Sequence, residues 1–138
     1  MYLAFEELPA DIKQQIAELT INHDASLDSG GNPRADFKGT GANHPIVRTH
    51  PVTGRKCLYV NPLCTDGIEG MPDAEGKPLL EELYSLCTRP ELTYRHHWRK
   101  GDLLMWDNCS ALHIAVMDYA LPQRRRMHRT TITGTVPF

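Results

Sequence analysis

In the stretch MWDNCSALHIAVMDYALPQRRRMHR, residues 105–129, His113 stands behind an apolar run, and the stretch closes on a cluster of arginines around a second histidine, His128. A histidine just past the end of a buried strand can be aimed into a cavity by a rigid sheet, where its imidazole serves as a metal ligand or moves a proton. Guanidinium groups grip planar carboxylates through two parallel hydrogen bonds. If the last segment is a strand, Arg125, Met127, Arg129 and Thr131 share one face, while Arg124, Arg126 and His128 share the other. By strand rise Arg125 and Arg129 would lie about 13 Å apart, suited to two anions or to the two ends of one site. The ordinary alternative is a solvated basic edge that discourages strand pairing.

Six other histidines compete with His113. His44 and His50 each precede a proline, which biases them to extended backbone beside a turn, and their spacing of six is not a usual ligand spacing, so structural roles are expected of both. His96 and His97 fall inside a predicted strand and would point to opposite faces, so at most one could enter a given site. His23 and His128 have no informative neighbours, and a solvated or hydrogen-bonded role is the expectation for each.

The elements that must position these residues can be read from periodicity. In LPADIKQQIAEL, Ile12, Ile16 and Leu19 recur at helical spacing behind Pro9, and MYLAFEEL before it reads as a shorter helix, making residues 1–22 a helical lead-in. Residues 23–43 are rich in Gly, Asp, Ser and Asn and predict a loop. HPIVRTHPVTGRKCLYVNP predicts a β-hairpin bent at PVTGR. Leu79, Leu80, Leu83 and Leu86 place a second main helix near residues 77–88, with Pro90 as its stop. Beyond it, TYRHHWRKGDLLMWDN predicts strand, turn, strand, and RRRMHRTTITGTVPF a further strand.

Composition narrows the function classes. A chain of 138 residues with 41% hydrophobic and 23% charged residues is expected to bury one core, and a net charge of −2 gives no global pull toward nucleic acid or an anionic membrane. RRRMHR lacks the aromatic platform that would favour RNA. No apolar run approaches the roughly 20 residues a spanning helix needs. Four cysteines without a C-x-x-C pair, and no stretch reading as a signal peptide, lead to the expectation of a reducing compartment, the cytoplasm.

HPIVRTHPVTGRKCLYVN, PELTYRHHWRKGDLLMWDN, His113 and DYALPQRRRMHRTTITG together, in this order, resemble the C-terminal half of the taurine dioxygenase (TauD/TfdA) family of Fe(II)- and 2-oxoglutarate-dependent dioxygenases. The resemblance runs from Met1 to Phe138 and rests on several motifs at once. It implies a mainly β fold with helices, a partial double-stranded β-helix (jelly roll) occupying residues 44–138, whose iron is held by two histidines and a carboxylate. It implies that His113 matches the distal iron-binding histidine, Arg125 the arginine that binds the 2-oxoglutarate carboxylate, and Arg129 the one that reaches the anionic end of the substrate. The loop DYALPQR holds one residue more than is usual in the family, which makes Arg124 the register alternative to Arg125. WDNC departs from the family's usual arginine after WDN, with Cys109 in its place.

The implied activity is hydroxylation of a small anionic substrate, a sulfonate, sulfate ester or aryloxy acid, with Fe(II) and 2-oxoglutarate as cofactor and cosubstrate. The family takes its other two iron ligands from an H-x-D motif, and none of the seven histidines here is followed two places on by aspartate or glutamate. Asp102, Asp107 and Asp118 flank His113 in sequence, but turn and cap roles suit them better than ligation. The expectation is therefore a C-terminal portion lacking the H-x-D ligands and inactive alone. The alternative is a catalytically inactive remnant or truncated gene product, acting as an interaction or dimerising module through unpaired strand edges.

Overall fold

The computed structural model describes residues 1–26, 32–35 and 41–138. Much of the expected loop at 23–43 lies outside the described residues. The chain opens with two short helices, α1 (Tyr2–Glu7) and α2 (Ala10–Ile16). Pro9 sits at the N-cap of α2, where its missing N–H costs nothing, and Asp11 lies in the first turn on the favourable side of the helix dipole. Ala4, Leu8 and Ile16 turn inward, as the helical spacing requires.

Among the described residues five short strands follow: β1 (Thr20–His23), β2 (Ala42–Pro45), β3 (Val47–Thr49), β4 (Lys56–Leu58) and β5 (Thr65–Ile68). They form two sheets, a three-stranded one in the order β2-β1-β5 and the two-stranded β3-β4 ribbon, and all the pairings are antiparallel. The ribbon is the expected hairpin, with Val47 opposite Leu58 and Thr49 opposite Lys56. Its turn closes through His50 and Arg55, whose backbones hydrogen-bond at 2.9 Å, and Gly54 supplies the left-handed backbone there at φ 69°.

Strands β1 and β5 were not expected. TINH ends the predicted helical lead-in, and TDGI carries a glycine and an aspartate, both poor in strand propensity. Tertiary pairing decides both: β1 is the central strand, bonded on each side, and Ile21 and Ile68 meet across it in the core. Helix α3 (Asp73–Cys87) begins a turn before the expected 77–88 because Pro72 caps it and Asp73 and Glu75 suit its first turn. Leu79, Leu80 and Leu83 then pack on Ile21, Ile46, Leu58 and Val60. A single 3-10 turn, Pro90–Leu92, ends the regular structure.

The strands expected beyond this turn are a correction: residues 93–138 form no ladder with any described residue. Alternating apolar side chains suit a pleated surface, but a strand exists only where a neighbour accepts its backbone hydrogen bonds. Leu103, Ile132 and Val136 are accordingly 80–89% exposed. The segment is nonetheless tied to the hairpin. The Thr49 amide donates to the Phe138 carbonyl at 2.6 Å, the Cys57 thiol to the Cys109 carbonyl at 3.3 Å, and His50 meets Asp107 at 2.5 Å.

Candidate active site

His113 lines a cavity of about 210 Å³. One wall comes from the end of β4 and the residues after it, including Tyr59 and Asn61; another comes from residues 108–113, with Cys109 and His113; His23 of β1 completes it. The Trp106 indole stands against the His113 ring at 4.8 Å between centroids. Loss of solvent, and then the nearby positive charge of Arg129, push the His113 imidazole below its ordinary pKa. His113 and Arg129 are thus brought within electrostatic reach of one another. Arg124 and Arg125 are exposed, belong to no strand, and make no ion pair among the described residues. The common face expected for Arg125 and Arg129 is not formed, because no partner strand fixes the pleat.

Asp102 and Asp107 take the turn roles their positions suggested. Asp102 accepts the Arg99 amide at 2.8 Å and pairs with His96 at 3.1 Å. Asp107 accepts the Cys109 amide at 2.8 Å and faces His50, and both contacts hold its carboxyl below the usual carboxylate range. His50 has the structural role expected of it. His96 is set edge-on to Trp98 rather than projecting from a strand face.

A cluster that sequence reasoning missed lies beside the cavity. His23, His44 and Tyr59 stack on one another with centroids 5.1–5.6 Å apart, and the guanidinium of Arg48 lies 5.0 Å over the Tyr59 ring. Burial, then the His44 charge, depress the His23 pKa to about 4, and His44 is lowered by burial and by Arg48. The His23 Nε2, His44 Nδ1 and Arg48 Nε atoms are buried without a hydrogen-bond partner among the described residues. No sequence signal marked it: Val47 and Arg48 are both buried in β3, which only the fold reveals.

A catalytic iron of the two-histidine, one-carboxylate kind needs three converging donors. Among the described residues His113 belongs to no such group. Among the described residues, the one triple of donor atoms within 4.8 Å of each other is His50, Asp107 and Cys109. That triple is a poor metal site. The amides of Val52 and Thr53 both point at His50 Nδ1, at 3.2 and 3.1 Å, so the ring proton must sit on Nε2, the atom a metal would need. The donors present therefore do not fit a complete iron site.

The described residues are short antiparallel strands with a few helices, and the solved structures they resemble are jelly-roll dioxygenases. The chain belongs to the taurine catabolism dioxygenase TauD, TfdA family, whose model matches residues 1–131. It is 36% identical over 97% of its length to the alpha-ketoglutarate-dependent 2,4-dichlorophenoxyacetate dioxygenase of Burkholderia sp. (strain RASC), covering 46% of that protein. It is 33% identical over 97% of its length to the alpha-ketoglutarate-dependent sulfate ester dioxygenase of Pseudomonas putida, covering 48%. Among solved structures it resembles AAD-2 in complex with Mn(II) and N-oxalylglycine, with a TM-score of 0.61 at 31% identity, over 72% of this chain and 41% of that one. The chain thus spans less than half the length of each of these relatives. No helix among the described residues is long and apolar enough to cross a membrane.

Proposed function

We propose that this chain is the C-terminal part of a 2-oxoglutarate-dependent dioxygenase acting on a small anionic substrate, a sulfonate, a sulfate ester or an aryloxy acid. In this reading His113 is one ligand of the Fe(II). Arg125 binds the 2-oxoglutarate carboxylate, with Arg124 as its register alternative, and Arg129 meets the anionic end of the substrate. The observation that carries it is the placement of His113 on a cavity wall with the Arg129 charge close by, in a chain of this family. Residues 44–138 are the jelly-roll portion, and the cytoplasm is its expected location.

The chain's own chemistry is that of anion holding. A guanidinium offers two parallel N–H donors to a carboxylate, and it stays charged at every working pH. Two such groups on one segment separate a dicarboxylate from a sulfonate or carboxylate substrate without a proton transfer. His113, kept unprotonated near neutrality by desolvation and Arg129, presents a free ring nitrogen to a cation. The second and third metal donors must come from residues that do not gather beside His113 here, so the chain by itself is inactive.

Incubation of the chain with Fe(II), 2-oxoglutarate and a panel of sulfonates, sulfate esters and aryloxy acids tests this. No succinate release is expected, and stoichiometric succinate would overturn the inactivity. In the intact enzyme, isothermal titration with 2-oxoglutarate should show binding that Arg125→Ala weakens about 10- to 100-fold, the worth of a charge-assisted pair. An equal loss in Arg124→Ala with none in Arg125→Ala would shift the register. An in-frame H-x-D in the coding sequence upstream of Met1 would supply the other ligands. The exposed apolar side chains of residues 93–138 further lead us to propose self-association of the isolated chain through unpaired edges, and a monomer by light scattering would exclude it.

A further inference from the structure

His50 is held on both of its ring nitrogens. Nδ1 faces the Val52 and Thr53 amides, which can only donate, so Nδ1 is the acceptor and Nε2 carries the proton. Nε2–H then has one partner, the Asp107 Oδ2 at 2.5 Å. The ring itself is buried, with a relative exposure of 6%, and Tyr2 packs against it at 5.9 Å between centroids.

The carboxylate at the other end is equally committed. Asp107 Oδ1 accepts the Cys109 amide at 2.8 Å, while the Asp107 carbonyl accepts the amides of Ser110 and Ala111 at 3.2 and 2.9 Å. Asp107 therefore builds the turn that ends two residues before His113, and the residue before it, Trp106, is the one that stands against the His113 ring. Residues 93–138 have no ladder of their own to fix this turn. Among the described residues the turn is tied to the folded hairpin by the Cys57 thiol, which donates to the Cys109 carbonyl at 3.3 Å, and by His50 through Asp107, the tie whose tautomer the hairpin's backbone dictates.

We propose that His50 and Asp107 are a positioning pair: the hairpin fixes the His50 tautomer, His50 anchors the 107–111 turn through Asp107, and the anchored turn sets Trp106 and His113 on the cavity. Neither residue touches a ligand. The proposal rests on the reading of His113 as a metal ligand for its functional meaning, but its geometry can be tested separately. A matched comparison is built into the same segment, because His96 and Asp102 form a second histidine–aspartate pair at 3.1 Å. Both of its members lie within residues 93–138, so it ties nothing to the hairpin.

The test is NMR on the full chain with labelled histidine and tryptophan. The expected spectrum shows His50 protonated on Nε2 and not on Nδ1, and cross-peaks between the Trp106 indole and the His113 ring. Asp107→Ala should lose those cross-peaks while the Val47–Leu58 contacts across the hairpin persist. Asp107→Asn, which keeps an acceptor for the Nε2 proton, should retain them, and so should Asp102→Ala. If Asp107→Ala does not fold, His50→Phe, which fills the same space with no nitrogen, should show the same loss. A proton on His50 Nδ1, survival of the Trp106–His113 cross-peaks in Asp107→Ala or His50→Phe, or their loss in Asp102→Ala overturns the proposal. Addition of Mn(II) tests the other reading: broadening of the His113 ring resonances supports its ligand role, whereas broadening confined to other histidines, with the Trp106–His113 contact still dependent on Asp107, removes that role and leaves the positioning pair standing.

Discussion

Residues 1–92 and residues 93–138 are comparable in apolar pattern and opposite in outcome. In the first, Ile21, Ile46, Leu58 and Leu83 are fully enclosed in one core. In the second, Leu103, Leu121, Ile132 and Val136 stand 80–89% exposed, and Tyr94 is little different. What separates them is a hydrogen-bonding neighbour rather than side-chain chemistry. β1 has β2 on one edge and β5 on the other, so its two faces are defined and its isoleucine has a place to go. The later segment meets the hairpin only at isolated points, so alternation along it selects no face. Its chemistry-bearing residues, His113 and the arginines, are consequently placed by single contacts where a sheet would place them by register.

The largest break in this contrast should come from the core. Leu83→Ala and Ile21→Ala should each cost about 2–5 kcal/mol, the transfer and cavity cost of emptying an enclosed site. Leu103→Ala and Ile132→Ala should stay within about 0.5 kcal/mol, because they remove contacts with water alone. Urea unfolding with a common slope checks both. A loss above 1 kcal/mol in either tail variant would mean that the tail packs in solution. Native-state hydrogen exchange gives the same comparison amide by amide, with protection expected at Ile21 and Asn22 and near-complete exchange through residues 124–136.

The elements whose local signal and tertiary context agree were legible in the sequence. The hairpin declared itself through PVTGR, where Gly54 takes the positive φ the turn needs. The helix declared itself through leucine spacing, which α3 buries as read. β1 and β5 were hidden because TINH and TDGI are ordinary or poor strand formers whose pairing is decided by residues far away in sequence. The reverse error occurred after residue 93, where strand-like alternation had no partner to act on. In the candidate site, the position of His113 beside a cavity and the turn roles of Asp102 and Asp107 were legible. The His23–His44–Tyr59 group could not be found, since it joins β1, β2 and the residue after β4, which no local pattern links.

That group gives a smaller effect, specific to the first region. His23 is unprotonated in the folded chain down to about pH 4, whereas in the unfolded chain it takes a proton near 6.5. Between these values the unfolded state binds more protons, so stability is full above pH 6.5 and falls as the pH drops toward 4. The loss traceable to His23 should be on the order of 1–2 kcal/mol, less than the full linkage value because the ring keeps part of its solvent contact. His44 acts in the same direction. Urea midpoints at pH 7 and pH 4.5 in wild type and His23→Phe isolate the term: the variant should lose less stability over that interval, and identical slopes would remove His23 from the account.

The smallest effect concerns how α1 is held to the hairpin. Arg55 reaches Glu6 at 2.6 Å and stacks 4.2 Å over the Tyr2 ring, but both charged side chains are about half exposed. Exposed ion pairs and exposed cation–π contacts each contribute a few tenths to about 1 kcal/mol, and salt screens the first. Arg55→Ala should therefore cost about 0.5–1 kcal/mol, and Glu6→Gln less, with the difference between them shrinking at high salt. Arg55→Lys keeps the charge and loses the planar stack, so it should fall between the two. If Arg55→Ala instead cost as much as Leu83→Ala, the hairpin's outer contacts would rank with its core, and the fold would depend on α1 far more than the enclosed side chains indicate.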